Sequence, residues 1–208
     1  MNVSRPTLPG WALLVLAMAV SSHAASAVGT FRKAAEKPAA RDAKSAAHEY
    51  FTDVVLLNQN GKPMRLYTDL IQGKVVAINP FFTTCTGACP PMNRNMLAIQ
   101  ERLGNRLGKD VHLISITVDP ENDTPPRLEE YAAEYDARPG WHFLTGKKEN
   151  AELALHKLGL HVEQKEFHKS FILMGNDRTG LWKKAFGLAQ SEELIEIFES
   201  VLNDEPQE

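Results

Sequence analysis

The sequence predicts an α/β fold, and three features of the chain lead to this prediction. Two nearly continuous apolar segments, 74–82 and 111–118, are typical of strands buried on both faces of a sheet. Between them, apolar residues from Met92 to Leu107 recur at three- and four-residue steps, which is the pattern of a helix with one buried face. A strand, a helix and a strand in this order indicate a right-handed crossover between parallel strands.

The other elements follow along the chain on the same kind of evidence. The Asn60-Gly61 pair separates segments 54–57 and 63–67 and predicts a tight turn in an N-terminal β-hairpin. Beyond residue 118 the patterns predict, in order, a loop at 119–126, a helix carrying Leu128 and Tyr135, a strand at 141–144, a helix at 149–158, a hairpin of strands 170–174 and 181–186, and an amphipathic helix at 192–202. This order is that of a thioredoxin-like α/β sandwich with an added N-terminal hairpin.

The length and charge of the chain limit its organisation and its partners. Its 208 residues suffice for one compact domain with end segments. We expect that domain at 50–203, followed by a short tail at 204–208. The formal net charge is -3, and no run of five or more lysines and arginines occurs. A basic face for nucleic acid is therefore not expected.

The N-terminus has the pattern of an export signal. Residues 1–27 contain one charged side chain, Arg5, then an apolar run at 11–20 and small residues that end in Ala25-Ser26-Ala27. The apolar run is shorter than the roughly 20 residues of a membrane-spanning helix. We expect export to a bacterial periplasm, with an uncleaved segment anchored to the inner membrane as the alternative. Residues 28–49 are expected to form a flexible or partly helical lead-in.

The two cysteines, Cys85 and Cys89, lie close together after the first buried strand. Loops at the carboxyl ends of such strands carry the functional sites of α/β proteins. A disulfide across so short a loop would stabilise the fold little, so a purely structural pair is the weaker alternative. Because Cys89 and Pro90 each precede a proline, we expect the helix to begin at Pro91 and both thiols to lie on a loop. The amino end of the helix would favour the thiolate of Cys89.

A third metal ligand must come from elsewhere in the chain, and the candidates are His161 and His168. Two thiolates suit soft ions such as Cu(I), and an added imidazole extends the choice to Cu(II) or Zn(II). His161 and His168 both precede the late strand, which in a thioredoxin-like sheet passes close to the cysteine loop, and His168 is nearer to it. Thioredoxin-type reductases carry a C-x-x-C pair faced by a cis-proline. This chain has C-x-x-x-C and no proline between Pro139 and Pro206, so His168 occupies the region of that proline.

Several separated motifs together make the chain resemble the Sco (SenC) family of copper-handling proteins. They lie between about residues 51 and 201 and read LLNQNGKPMRL, NPFFTTCTGACPPM, SITVDPENDTPPRLEEYAAEY, WHFLTG and HKSFILMGNDRTG. The resemblance implies a thioredoxin-like domain that binds copper, as Cu(I) or Cu(II), through the thiolates of Cys85 and Cys89 and the imidazole of His168. It also implies a role in metallating the dinuclear copper centre of cytochrome c oxidase. A copper-enzyme subunit such as cytochrome c oxidase subunit II is therefore the expected partner.

The sequence departs from the pattern of this family in two places. Phe167 stands where many relatives carry an acidic residue directly before the ligand histidine. The N-terminal apolar segment is shorter than the membrane anchor that is common in the family. Asp119 and Asp123 match acidic positions of the loop after the second buried strand, and no ligand role is assigned to them.

A thiol-disulfide oxidoreductase is the alternative function. Its reduced pair, with Cys85 attacking and Cys89 resolving, would reduce the cysteines of an apo copper-site protein. A peroxidase of the peroxiredoxin type is disfavoured, because residues 80–85 do not match the P-x-x-x-T-x-x-C spacing of such enzymes. Both remaining functions need reduced thiols, so an exported protein requires a periplasmic thiol reductant as a further partner.

Overall fold

The α/β architecture predicted from the sequence is confirmed by the computed structural model, which describes residues 40–161 and 170–206. The helices are α1 (Ala40–Phe51), α2 (Cys89–Leu103), α3 (Pro125–Ala133), α4 (Lys148–Lys157) and α5 (Ser191–Leu202). The strands are β1 (Val55–Asn58), β2 (Pro63–Arg65), β3 (Val75–Phe81), β4 (Val111–Thr117), β5 (Trp141–Thr145), β6 (Phe171–Asn176) and β7 (Leu181–Phe186). The strands of the described residues form one seven-stranded sheet in the order β2-β1-β5-β4-β3-β6-β7.

The centre of the sheet is parallel and its edges are antiparallel. Strand β3 pairs with β4 in parallel over seven residue pairs, from Val75 opposite Val111 to Phe81 opposite Thr117. Strand β5 continues the parallel part beside β4, whereas β6 and β1 join the sheet in the antiparallel sense. Because β3 and β4 end side by side, the loops that follow them meet at one edge of the sheet.

Helices cover both faces of the sheet. On one face α2, α3 and α5 pack Met96, Leu128 and Phe198 into a buried cluster with side chains of the central strands. On the other face α4 contributes Leu155, and the N-terminal segments contribute residues such as Phe51. All seven residues of β3, and all seven of β4, are buried. This burial explains why these two strands read as continuous apolar segments rather than alternating ones.

Some boundaries differ from the predicted ones. The N-terminal hairpin forms, with Gly61 at a φ of 70°, but its second strand ends at Arg65. Residues Leu66–Ile71 form a π-helical turn instead, which buries Tyr67 and Leu70. Helix α2 ends at Leu103 rather than Leu107, because Gly104 takes a φ of 53° and a short 3₁₀ turn follows.

Two predicted segments lie outside the described residues. These are the export signal at 1–27 and the stretch 162–169, which contains the predicted ligand His168. Of the predicted lead-in at 28–49, residues 28–39 also lie outside, and the remainder belongs to helix α1. Among the described helices, none is both long enough and apolar enough to cross a membrane.

Two histidines, His112 and His142, lie side by side at the start of the central strands. The rings of His112, on β4, and His142, on β5, are 4.9 Å apart between centroids and meet edge to face. His112 Nδ1 and His142 Nε2 are both buried, with no hydrogen-bond partner in the described parts of the chain. Burial lowers the pKa of each imidazole to about 4, and the positive charges of Lys62 and Lys74 act in the same direction at His142. Both rings are therefore neutral at neutral pH.

This pair should make the fold sensitive to acid. In the unfolded chain each imidazole titrates near 6.5, and in the folded chain near 4, so the unfolded state binds more protons between these values. We expect the free energy of unfolding to fall as the pH is lowered from 6.5 towards 4. Urea unfolding at about pH 7 and about pH 5 measures this loss. His112→Leu should reduce it, whereas His156→Leu, at an exposed position on α4, should leave it unchanged. Equal losses in both variants would contradict this assignment.

Candidate metal centre

The cysteine loop follows β3 and leads directly into α2. The Cys85 N–H donates to the Phe82 carbonyl at 3.1 Å, which forms a turn immediately after the strand. Cys85 is partly exposed, whereas Cys89 is fully buried, and both are present as thiols. The backbone N–H of Cys89 points at Cys85 Sγ, 3.4 Å away. The structure thus brings together the two cysteines predicted as ligands, with only Cys85 open to solvent.

Helix α2 begins at Cys89, and not at Pro91 as expected. Ala88 already has helical angles, with φ -77° and ψ -27°, and its carbonyl accepts the Met92 N–H at 3.1 Å. The prolines at positions 90 and 91 are tolerated, because the first N–H groups of a helix have no partner within it. Cys89 therefore belongs to the first turn of the helix. Cys85 remains on the loop, and its sulfur accepts a hydrogen bond from one of the unpaired N–H groups of that turn.

The electrostatics of Cys89 also differ from the expectation. Burial raises the pKa of its thiol, and a hydrogen bond with the Cys85 side chain acts in the same direction. A backbone hydrogen bond from Phe82 favours the thiolate, but it does not outweigh the burial. The pKa of Cys89 is therefore raised, and not lowered as expected from its place at the amino end of the helix. Cys89 is a protonated thiol at neutral pH until a metal or a reaction partner replaces its proton.

The buried carboxylate of Asp123 is hydrogen-bonded to the cysteine loop. Asp123, in the segment between β4 and α3, is 1% exposed. It accepts hydrogen bonds from the backbone N–H of Thr83, at 3.2 Å, and from the Thr83 hydroxyl, at 2.5 Å. The hydroxyl of Thr117, the last residue of β4, also donates to it. Sequence reasoning assigned Asp123 no role. The one signal for this network was two threonines directly before Cys85, opposite an acidic loop.

The third predicted ligand, His168, lies outside the described residues. Within the described ranges, no three His, Cys, Asp or Glu side chains are placed to hold a metal ion together. The chain that follows His168 does return to this edge of the sheet. Leu173 lies opposite Ile78 in the antiparallel pairing of β6 with β3, so β6 starts near the carboxyl end of β3.

Comparison with known proteins decides the family. The SCO1/SenC family model matches residues 39–202, which is most of the chain. The chain belongs to the SCO1/SenC family. This confirms the resemblance inferred from the separated motifs.

Similar SCO1/SenC proteins come from several kinds of organism. A SCO1 protein homolog of Bacillus subtilis (strain 168) is 37% identical over 129 residues, which are 58% of this chain and 65% of that protein. The match thus spans slightly less than two thirds of the relative's length. The structure of BsSco, a member of the Sco family of cytochrome c oxidase assembly proteins in which a disulfide switch was identified, is 31% identical. It has a TM-score of 0.58 and covers 71% of this chain and 90% of that one.

A more distant structure supports the thioredoxin-like fold. Arabidopsis thaliana ScoI, solved with copper bound, has a TM-score of 0.60 and 22% identity. The similarity covers 71% of this chain and 94% of that one. The predicted thioredoxin-like sandwich is therefore confirmed, including the β-hairpin that precedes its first central strand.

The difference in burial between the two thiols of this SCO1/SenC chain predicts different reactivity. We expect iodoacetamide to alkylate Cys85 at least ~10-fold faster than Cys89 in the reduced protein at neutral pH, because Cys89 is both inaccessible and protonated. Mass spectrometry of the modified protein over time measures the two rates. Cys89→Ser should retain the fast reaction and Cys85→Ser should lose it. Equal rates at both positions would show that the burial of Cys89 does not persist in solution.

Proposed function

We propose that this chain binds one copper ion through Cys85, Cys89 and His168 and delivers it to a copper enzyme. The observation that carries the proposal is the thiol pair at the carboxyl end of β3. One sulfur is exposed and the other buried, and the backbone of Cys89 contacts the sulfur of Cys85. Two thiolates make a soft site for Cu(I), and one imidazole makes Cu(II) an acceptable ion as well.

The exposure of Cys85 suits transfer of the ion by ligand exchange. Of the two sulfurs, that of Cys85 is the accessible one, so a partner thiolate would approach the copper from its side and Cys85 would leave before Cys89. Cys89 keeps the ion until the partner supplies further ligands, because it is fully buried. The copper is cargo in this scheme, and no bond of a small substrate is broken.

The family and the N-terminal sequence support a particular partner and location. The expected acceptor is the dinuclear copper site of cytochrome c oxidase subunit II, in line with the assembly role given for BsSco. Residues 1–27 would direct export to the periplasm, with the uncleaved segment as a tether in the alternative case. The periplasm oxidises thiols, so a thiol reductant must keep the pair able to bind metal.

A second function, thiol-disulfide exchange, is favoured by the same asymmetry of the pair. The thiolate of Cys85 would attack a disulfide of an apo copper-site protein, forming a mixed disulfide and releasing one partner thiol. Cys89, after losing its proton, would then attack the sulfur of Cys85 and release the second partner thiol. The partner gains two electrons, and Cys85 and Cys89 end as a disulfide. The external reductant returns this disulfide to the dithiol.

Copper titration of the reduced protein tests the first function. We expect intense sulfur-to-copper charge-transfer bands with Cu(II), which are absent from the double variant Cys85→Ser/Cys89→Ser. His168→Ala should weaken copper binding by more than the about 10- to 100-fold that loss of an outer-shell partner costs, because it removes a ligand. His161→Ala is the matched control, because this histidine also precedes the late strand but is not assigned to the site. If His168→Ala binds Cu(II) as tightly as the parent protein, the proposed ligand set is wrong.

The second function is tested with the same variants and without metal. The substrate is an oxidised dithiol protein, and the released thiols are counted with a chromogenic reagent. We expect His168→Ala to retain the exchange rate of the parent within about a factor of three, because an imidazole ligand has no part in the sulfur chemistry. Cys85→Ser should abolish exchange, whereas Cys89→Ser should trap the mixed disulfide. A parent protein that releases no thiols would exclude this function.

A further inference from the structure

The carboxylate of Asp123 connects three parts of the fold at the edge of the sheet that carries the cysteine loop. It lies in the segment between β4 and α3 and is 1% exposed. Its Oδ1 accepts the hydroxyl of Thr83, and its Oδ2 accepts the hydroxyl of Thr117. The backbone N–H of Thr83 lies 3.3 Å from Oδ1 and 3.2 Å from Oδ2 and donates to both. A buried carboxylate is costly unless it is hydrogen-bonded, and here each oxygen has donors.

Hydrogen bonds within the segment that follows β4 fix the position of Asp123. Its backbone N–H donates to the Asp119 carbonyl at 3.0 Å, and the Asp119 N–H donates to the Thr117 hydroxyl oxygen at 2.9 Å. Thr117 therefore both accepts a bond from the loop backbone and donates one to the Asp123 side chain. These bonds tie the position of the carboxylate to the end of strand β4.

Thr83 connects the carboxylate of Asp123 to the cysteine loop. It lies two residues after the end of β3 and two residues before Cys85. The turn in which the Cys85 N–H bonds to the Phe82 carbonyl encloses Thr83. Cys85 Sγ lies 3.4 Å from the Cys89 N–H. Its location therefore depends on the position of Thr83 in the loop.

We propose that Asp123 is a positioning residue for the Cys85–Cys89 pair. Its hydrogen bonds to Thr83 fix the position of the cysteine loop. The sulfur of Cys85 therefore stays within hydrogen-bond distance of the Cys89 N–H in the first turn of α2. This inference rests on the proposed copper site for its functional meaning. Two ligands whose separation is already fixed lose less conformational freedom when they bind an ion. Loss of the hydrogen bonds between Asp123 and Thr83 should therefore weaken copper binding without removing a ligand.

The positioning role of Asp123 is tested with Thr83→Val, which removes the hydroxyl of Thr83, and with Thr83→Ser, which retains it. Asp123→Asn keeps the shape but not the paired acceptors. We expect Thr83→Val and Asp123→Asn each to weaken copper binding about 10- to 100-fold and to shift the sulfur-to-copper bands, while Thr83→Ser stays close to the parent. The double variant Thr83→Val/Asp123→Asn should bind copper no more weakly than Asp123→Asn alone, because Asp123→Asn already disturbs the Thr83 hydroxyl bond that Thr83→Val removes.

A metal-free measurement separates this inference from the proposed function. Amide hydrogen exchange of Cys85 and Cys89 in the reduced protein should accelerate at least ~10-fold in Thr83→Val and Asp123→Asn. Asp110→Asn is the control, because Asp110 pairs with Arg106 at the opposite end of β4 and its loss should leave the two amides unchanged. If the parent binds no copper, the proposed function fails while the exchange result still stands.

Two outcomes would overturn the role of Asp123. One is unchanged exchange at Cys85 and Cys89 in Thr83→Val. The other is an equal acceleration in Asp110→Asn, since the effect would then be general destabilisation. If Asp123→Asn does not fold, the comparison of Thr83→Val with Thr83→Ser decides the question alone.

Discussion

The parallel pairing of β3 with β4 is the constraint on which the site depends. Seven consecutive residue pairs hold these strands in register, and both strands are buried along their whole length. Their carboxyl ends therefore cannot slide past one another, because a change of register would move buried side chains to the wrong face. The cysteine loop leaves one strand and the Asp123 segment leaves the other. Their hydrogen bonds form because the sheet has already brought the two segments together.

The two cysteines have different surroundings in the structure. Cys85 is on the loop and partly exposed, whereas Cys89 is in the first turn of α2 and fully buried. Burial raises the pKa of Cys89, in the direction opposite to that expected from the helix amino end. This asymmetry suits both metal transfer and disulfide exchange, since each requires one accessible and one protected sulfur. It explains why the thiol pair by itself does not separate the two functions.

Sequence reasoning succeeded where a local pattern reflects a single dominant force. The apolar segments at 74–82 and 111–118 predicted buried strands, and the Asn60-Gly61 pair predicted a hairpin turn, because burial and turn geometry act within a few residues. It was wrong at the start of α2, where the restriction before proline was given more weight than the tolerance of a first helical turn for missing N–H donors. It was also wrong to expect a favoured thiolate at Cys89, because burial by distant segments raises the pKa of that thiol.

The sequence by itself determined the family, the α/β architecture and the pair of sulfurs, because each is encoded in contiguous motifs and in periodic apolar residues. Only the tertiary structure decided which sulfur is exposed and that Asp123 reaches the cysteine loop. Asp123 and Thr83 are forty positions apart in the chain, and their contact at 2.5 Å exists only because two parallel strands end together. The two threonines before Cys85 and the acidic loop are visible in the sequence, but nothing local to either segment pairs Thr83 with Asp123.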